Sequence, residues 1–267
     1  MEKITDLDQL NKLLAPCMKR GVLTNNYLMY KDYKQYIEQG VLYYIKGRSG
    51  MLLFRDDGNH WRLLYYLSGF EDDFPLPEDK PSVMEVLFQA GGKEHEPVLA
   101  YWQSKGFKPY LPRKRMLVPA VEFKAASFPA GTVVFAQKKH APAISALLSA
   151  SFDRYLGCIP SQEEIIAGIE RKEFICAVDA RDRIMGVLEI RRRRNLYTIR
   201  HLVVEREFRG RGLARKMLAF LETIVEKDAK IKIELWVQSN NPAARRLYEK
   251  AGFSYDGLES VGLLYEP

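Results

Sequence analysis

The spacing of apolar residues changes along the chain, and the changes mark its elements. In the second half, residues 132–137 read as a short strand and residues 141–152 carry apolar side chains at helical spacing. Pro160-Ser161-Gln162-Glu163-Glu164 opens another helix, with Ser161 and Glu164 as an S-x-x-E capping box. Residues 174–178 and 184–190 predict two strands joined by a turn at 180–183. Residues 191–195 make a hairpin tip, and 196–204 form the next strand. Residues 213–227 predict a strongly amphipathic helix, with Leu213, Met217, Leu221, Ile224 and Val225 on one side. Residues 231–237 are rich in β-formers. Asn241 and Pro242 then start a helix as cap and first residue, Ala251-Gly252 ends it, and 253–255 and 261–265 read as closing strands.

The first half predicts helices over 7–19 and 25–38, strands near 41–46, 51–55 and 61–67, and helices around 82–89 and 97–105. Gly106 ends the last helix and Phe107 opens a strand. The two halves share an order of elements and a heptad: Tyr101-Trp102-Gln103-Ser104-Lys105-Gly106-Phe107 against Leu247-Tyr248-Glu249-Lys250-Ala251-Gly252-Phe253. That points to a weak internal duplication offset by 146 residues. Residues 116–131 carry two prolines, small residues and no clear period, so the expected division is 1–120, a linker over 121–131, and 132–267. Each half is then a mixed α/β domain, a central and mostly antiparallel sheet flanked by helices.

Composition narrows the class. The 267 residues are 47% hydrophobic and 28% charged, which suits a packed core and argues against disorder. No apolar run reaches the roughly 20 residues of a membrane span, and residues 1–20 lack a signal peptide's apolar block. A cytoplasmic protein without membrane association is the expectation. Three scattered cysteines, Cys17, Cys158 and Cys176, exclude a disulfide scaffold, and four dispersed histidines offer no metal-ligand spacing, so no metal is expected. The cysteines read as packing residues, with no Cys–His pairing visible. The net charge is +7, and from Thr132 onward 23 Lys and Arg stand against 18 Asp and Glu. The excess fits an anionic cofactor, a nucleic acid or plain solubility.

Chemistry concentrates in one stretch, His201-Leu-Val-Val-Glu-Arg-Glu-Phe-Arg209-Gly210-Arg211-Gly212-Leu213-Ala214-Arg215. A strand ends, a Gly-rich turn follows and an amphipathic helix begins. Glycines let successive N–H groups point one way, the helix N-terminus adds partial positive charge, and Arg209, Arg211 and Arg215 add full charges. A pyrophosphate is the natural guest. No G-x-x-x-x-G-K-[ST] is present, and no G-x-G-x-x-G with a downstream acid.

Together with Asn241-Pro-Ala-Ala-Arg-Arg-Leu-Tyr248-Glu-Lys-Ala-Gly-Phe253, this stretch resembles the GCN5-related N-acetyltransferases (GNAT). Their loop pattern [QR]-x-x-G-x-[GA] is met by Arg209, Gly212 and Ala214. Their later pattern N-x-x-A-x-x-L-Y-x-x-x-G-F is met by Asn241, Ala244, Leu247, Tyr248, Gly252 and Phe253. The resemblance covers about 132–265 and implies an acetyl-CoA or other acyl-CoA co-substrate and a small-molecule or peptide amine as acceptor. It implies that the amides of Arg209, Gly210, Arg211, Gly212, Leu213 and Ala214 hold the pyrophosphate. Leu202, Val203 and Val204 would pair with the pantetheine arm, one N–H polarising the thioester carbonyl. Asn241 would contact the arm, and Tyr248 would protonate the leaving thiolate. Transfer would be direct, in a ternary complex.

One departure concerns the base. Many relatives place Glu two residues before the apolar L-x-V; here Arg200 stands there. His201, Glu189, Glu205 or a water relay remain. Arg191–Arg194 reads as a solvated turn, a docking patch for an acidic substrate, or a set of phosphate contacts to RNA. If the strands extend into it, Arg191 and Arg193 face one way and Arg192 and Arg194 the other. In the first half, offset 146 sets Trp102 in the place of Tyr248 and His95 in that of Asn241, and the loop holding Glu71, Asp72 and Asp73 is acidic where an anion site needs donors. A degenerate first domain that binds no CoA follows, whose tyrosines serve recognition or the core. Tandem domains of this fold also transfer aminoacyl groups from charged tRNA, which the intact loop disfavours. A CoA-sensing or nucleic-acid-binding regulator is the non-enzymatic alternative, nucleic acid being the less favoured partner.

Overall fold

The computed structural model describes residues 1–125 and 132–267. It divides into two compact units, Met1–Pro112 with Glu259–Pro267, and Arg113–Leu258. The change of unit falls at Pro112 rather than in the predicted linker, and the last residues of the chain return to the first unit. Residues 126–131 of that linker lie outside the described residues.

The first unit runs β1 (Glu2–Lys3), α1 (Leu7–Leu14), β2 (Leu23–Thr24), α2 (Tyr30–Glu38), β3 (Leu42–Lys46), β4 (Gly50–Asp56), β5 (Trp61–Leu67), β6 (Ser82–Gln89) and α3 (Glu96–Ser104), and then enters β7 (Lys108–Pro119). Its strands lie in the order β1-β3-β4-β5-β6, with β2 pairing on β5. Residues 82–89 are a strand, not the predicted helix. Val83, Met84 and Val86 are all buried, and a short apolar run buried on both faces carries no period that separates strand from helix. The predicted helix over 7–19 stops at Leu14, before the 3-10 turn Ala15–Cys17 that contains Pro16. The predicted helix over 25–38 begins only at Tyr30, because β2 and the Asn25 region occupy the segment before it.

The second unit continues from the end of β7 through β8 (Val133–Phe135), α4 (Ala141–Ser151), α5 (Gln162–Glu170), β9 (Phe174–Val178), β10 (Ile184–Arg193), β11 (Leu196–Val204), α6 (Leu213–Ile224), β12 (Lys232–Gln238), α7 (Pro242–Glu249) and the first residues of β13 (Ser254–Tyr265). The order is β7-β12-β11-β10-β9-β8. Only β11 and β12 run parallel; the other pairs are antiparallel. The Ser161 capping box forms as read: the Ser161 amide donates to Glu164 Oε2 at 2.8 Å, and the Glu164 amide to Ser161 Oγ at 3.2 Å. α6 buries Leu213, Met217, Leu218 and Leu221 on the sheet, each worth about 1.5–3 kcal/mol when fully removed from water. It ends at Ile224, which is exposed, while Val225 turns back into the core. The two predicted closing strands are one.

With β6 read as a strand, the halves correspond more closely. In each, a parallel strand pair (β5 and β6, or β11 and β12) leads into a helix with proline in its first turn. Gly106 and Gly252 end those helices with φ of +90° and +95°, a left-handed conformation that favours glycine.

Candidate active site

The site follows from how β11 and β12 part. They pair from Leu196↔Lys232 to Ile199↔Leu235 and no further. Beyond Ile199, β11 stays bonded to β10 on its other side, with Leu188↔Leu202, Val187↔Val203 and Gly186↔Val204. The Glu205 amide donates to the Met185 carbonyl. Alternation along an antiparallel ladder then turns Val203 toward β10, and the N–H groups of Leu202 and Val204 into the split. Of the three strand residues named from the sequence, Leu202 and Val204 offer donors to a guest there, and Val203 does not.

β11 runs into the turn Arg209-Gly210-Arg211-Gly212 and then α6. Gly210 and Gly212 have φ of +79° and +75°, and a Cβ on either would meet no atom within 4 Å. Gly212 caps the helix in the left-handed conformation, so the amides of Leu213, Ala214 and Arg215 point outward as first-turn donors, and none of them donates within the described chain. Arg211 and Arg215 are exposed. Arg209 folds back, its Nε donating to the Val204 carbonyl at 3.0 Å.

Tyr248 stands on α7, 7% exposed and edge-on to Phe253 at 5.7 Å. Its hydroxyl has no hydrogen-bond partner among the described residues and is not sealed off. Burial pushes the phenol well above its usual range, so it stays protonated. Asn241 caps α7, its Oδ1 accepting from the Ala244 amide at 3.0 Å. The Asn241 amide nitrogen and the Ala244 methyl are what those two residues leave for a guest.

The base candidates are placed elsewhere. Glu189 is fully buried, and His201 is 2% exposed. Glu189 Oε2 lies 2.6 Å from His201 Nδ1, and Oε1 lies 3.0 Å from Arg191 Nε and 3.7 Å from Arg200 Nε. His201 Nε2 reaches the Gly157 carbonyl at 2.7 Å. A carbonyl only accepts, so Nε2 donates to it. Burial raises the Glu189 pKa, but the His201 hydrogen bond and the Arg200 and Arg191 charges outweigh it and hold the carboxyl below its usual range. Both are buried and engaged in these bonds, which closes them to an incoming amine. They clamp the loop between α4 and α5, where Arg200 also donates to the Cys158 carbonyl at 3.0 Å. Glu205 is paired with Arg183 at 3.1 Å. The four-arginine run is also dispersed: Arg191 binds Glu189, and Arg192 pairs with Glu226 at 2.5 Å and lies over Tyr197. Cys176 is buried, which pushes its thiol up to about 12.

The first unit has the same split, differently filled. β5 and β6 pair only at Trp61↔Ser82 and Arg62↔Val83. The edge of β5 beyond is taken by β2, with Leu23↔Leu67 and Thr24↔Tyr66. Asn25 extends the pairing: its Nδ2 donates to the Leu63 carbonyl at 3.2 Å, and the Tyr65 amide donates to its Oδ1 at 2.8 Å. Asp72 of the acidic loop accepts from the amides of Arg48 and Ser49 at 2.9 and 2.8 Å. Sequence reading missed β2 and Asn25, and nothing in Leu23-Thr24-Asn25-Asn26 marks a strand inserted in a split.

The second unit thus carries an opened parallel pair, a glycine turn and a capped helix with a buried tyrosine. Residues 142–253, which lie within the second unit, match the acetyltransferase (GNAT) family. Over 77 residues the chain is 32% identical to the streptothricin acetyltransferase of Escherichia coli, which covers 28% of this chain and 44% of that protein. The chain thus spans less than half the length of this curated relative. A GCN5-related N-acetyltransferase from Sphaerobacter thermophilus superposes with a TM-score of 0.56 at 16% identity, over 82% of this chain and 81% of its own. A tandem GNAT protein from the clavulanic acid biosynthesis pathway gives 0.56 at 14%, over 85% and 83%. A GNAT-family acetyltransferase from Colwellia psychrerythraea gives 0.55 at 15%, over 99% of both chains. The GNAT fold therefore extends beyond the matched domain.

Proposed function

We propose that the second unit moves an acetyl group from acetyl-CoA to a primary amine by direct attack in a ternary complex. The observation that supports this is three sets of donors unpaired among the described residues: the edge amides of Leu202 and Val204, the first-turn amides of α6 that follow β11, and the Tyr248 hydroxyl. The α6 amides with Arg211 and Arg215 hold the pyrophosphate. The β11 edge takes the pantetheine arm as an added strand, and one edge N–H stabilises the oxyanion as the amine nitrogen bonds to the thioester carbon. When the C–S bond breaks, the sulfur keeps the electron pair and takes the Tyr248 proton; the amine's surplus proton leaves to water.

The first unit we read as degenerate. Its strand edge is occupied by β2 and Asn25, its loop carboxylate by backbone amides, and Trp102 offers no acidic proton. The acceptor is a small-molecule or peptide amine. The test is thiol release from acetyl-CoA over a panel of primary amines, with calorimetry of acetyl-CoA alone. Binding together with amine-dependent thiol release supports the reading; binding of acetyl-CoA with no release for any amine opposes transfer.

A further inference from the structure

The base position of the family pattern holds Arg200, and the buried Glu189 and His201 are closed off. A different carboxylate stands one rung before the split. On β12, Ile233, Leu235 and Val237 pack into the core with α6, so Glu234 and Trp236 turn to the opposite face. Glu234 sits opposite Thr198, one step before β11 and β12 part after Ile199 and Leu235. Its side chain is 15% exposed. Glu234 Oε1 accepts from the Thr198 hydroxyl at 2.9 Å. Among the described residues the nearest cation to Oε2 is Arg115, its Nη1 at 3.8 Å, beyond hydrogen-bond distance, while its Nε and Nη2 bond Asp256 at 3.0 and 2.6 Å. The carboxylate is thus oriented by a hydroxyl, half-satisfied, and short of one close donor.

We propose that Glu234 receives the ammonium of the acceptor at the foot of the split. This rests on the acetyl-transfer reading and narrows its substrate class. Across Thr198 from Glu234 stands Arg191, its Cα partner on β10 and 30% exposed. Neighbouring strands lie about 5 Å apart, which puts the guanidinium-bearing strand roughly 10 Å from Glu234. A second positive charge on the acceptor meets Arg191 there. The acceptor is a primary amine on an uncharged stem, and polyamines are disfavoured. A Thr198–Glu234 pair across two strands leaves no signature in the linear pattern, since only the register joins them.

The experiment uses the full chain labelled with 15N at tryptophan, with acetyl-CoA present, and follows the indole resonance of Trp236, identified by its loss in Trp236→Phe. Butylammonium chloride should move that resonance saturably, while sodium butyrate at equal ionic strength should not. Glu234→Gln should weaken butylammonium binding about tenfold or more, as expected for loss of a charge-assisted hydrogen bond. Thr198→Val, which frees the carboxylate from its guide, should weaken it less. Spermidine should bind no tighter than butylammonium. Equal responses to butylammonium and butyrate, or unchanged affinity in Glu234→Gln, would overturn the assignment, and tighter binding of spermidine would overturn the narrowed class. Calorimetry of acetyl-CoA on the same variants separates this outcome from failure of the cofactor reading, since Glu234→Gln should leave that affinity intact.

Discussion

The Tyr248 hydroxyl has no hydrogen-bond partner among the described residues, and burial keeps it protonated. Tyr248→Phe keeps the ring against Phe253 and removes only the proton. Acetyl-CoA affinity should stay near wild type while turnover falls by about 10²–10⁴-fold, the usual contribution of a general acid. Thiol release measured across pH checks this, with Trp102→Phe as the control that changes turnover only modestly. Unchanged turnover in Tyr248→Phe at every pH would remove the phenol from the mechanism. The buried clamp makes a separate prediction. Replacing Glu189 by Gln leaves charged partners without their carboxylate and should cost about 3–5 kcal/mol in urea unfolding at neutral pH. Its carboxyl is held below the usual range, so its stabilisation is full above the ordinary glutamate range and is lost as pH falls through the folded value. Wild type should therefore lose more stability on acidification than Glu189→Gln does. At this scale Tyr248, Asn241 and Gly212 are legible because chemistry and local spacing define them. The bond between Glu189 and His201 is not: it depends on a register that shifts between Glu189 and Ile190, which no local pattern encodes.

Among the elements, the turn before α6 is where the proposed cofactor site is tested. Gly212→Glu puts a side chain at a φ of +75° into open space, with a negative charge where a pyrophosphate is to sit. Calorimetry should find acetyl-CoA binding abolished. The corresponding change in the acidic loop of the first unit, Glu71→Ala, should leave affinity untouched. Asn25→Leu removes the amide that bonds the Leu63 carbonyl and the Tyr65 amide. Leaving those groups unpaired should cost about 1–3 kcal/mol in chemical unfolding, with no change in acetyl-CoA affinity. The capping box, the cap at Asn241 and β9 to β11 were legible in sequence, because each is set by neighbours a few residues apart. The strand at Ser82–Gln89 was not, since burial on both faces erases the period. β2 was not, since two residues paired across a split have no pattern of their own.

For the molecule as a whole, the sequence points to a weak internal duplication and places the boundary of its halves by composition. The structure sets the change at Pro112 and returns Glu259–Pro267 to the first unit, where Ser260 Oγ donates to Glu85 Oε1 at 2.6 Å. Local composition cannot report that a chain's last strand serves its first unit. The two splits differ in what fills them: one is open beside a cradle of amides, and the other is closed by the chain's own β2 and Asn25. The central claim is that a single working cofactor site follows from that difference. The most direct test is titration of acetyl-CoA into the full chain by calorimetry. One equivalent should bind per chain in wild type and none in Gly212→Glu. Two equivalents in wild type, or one that survives in Gly212→Glu, would contradict it.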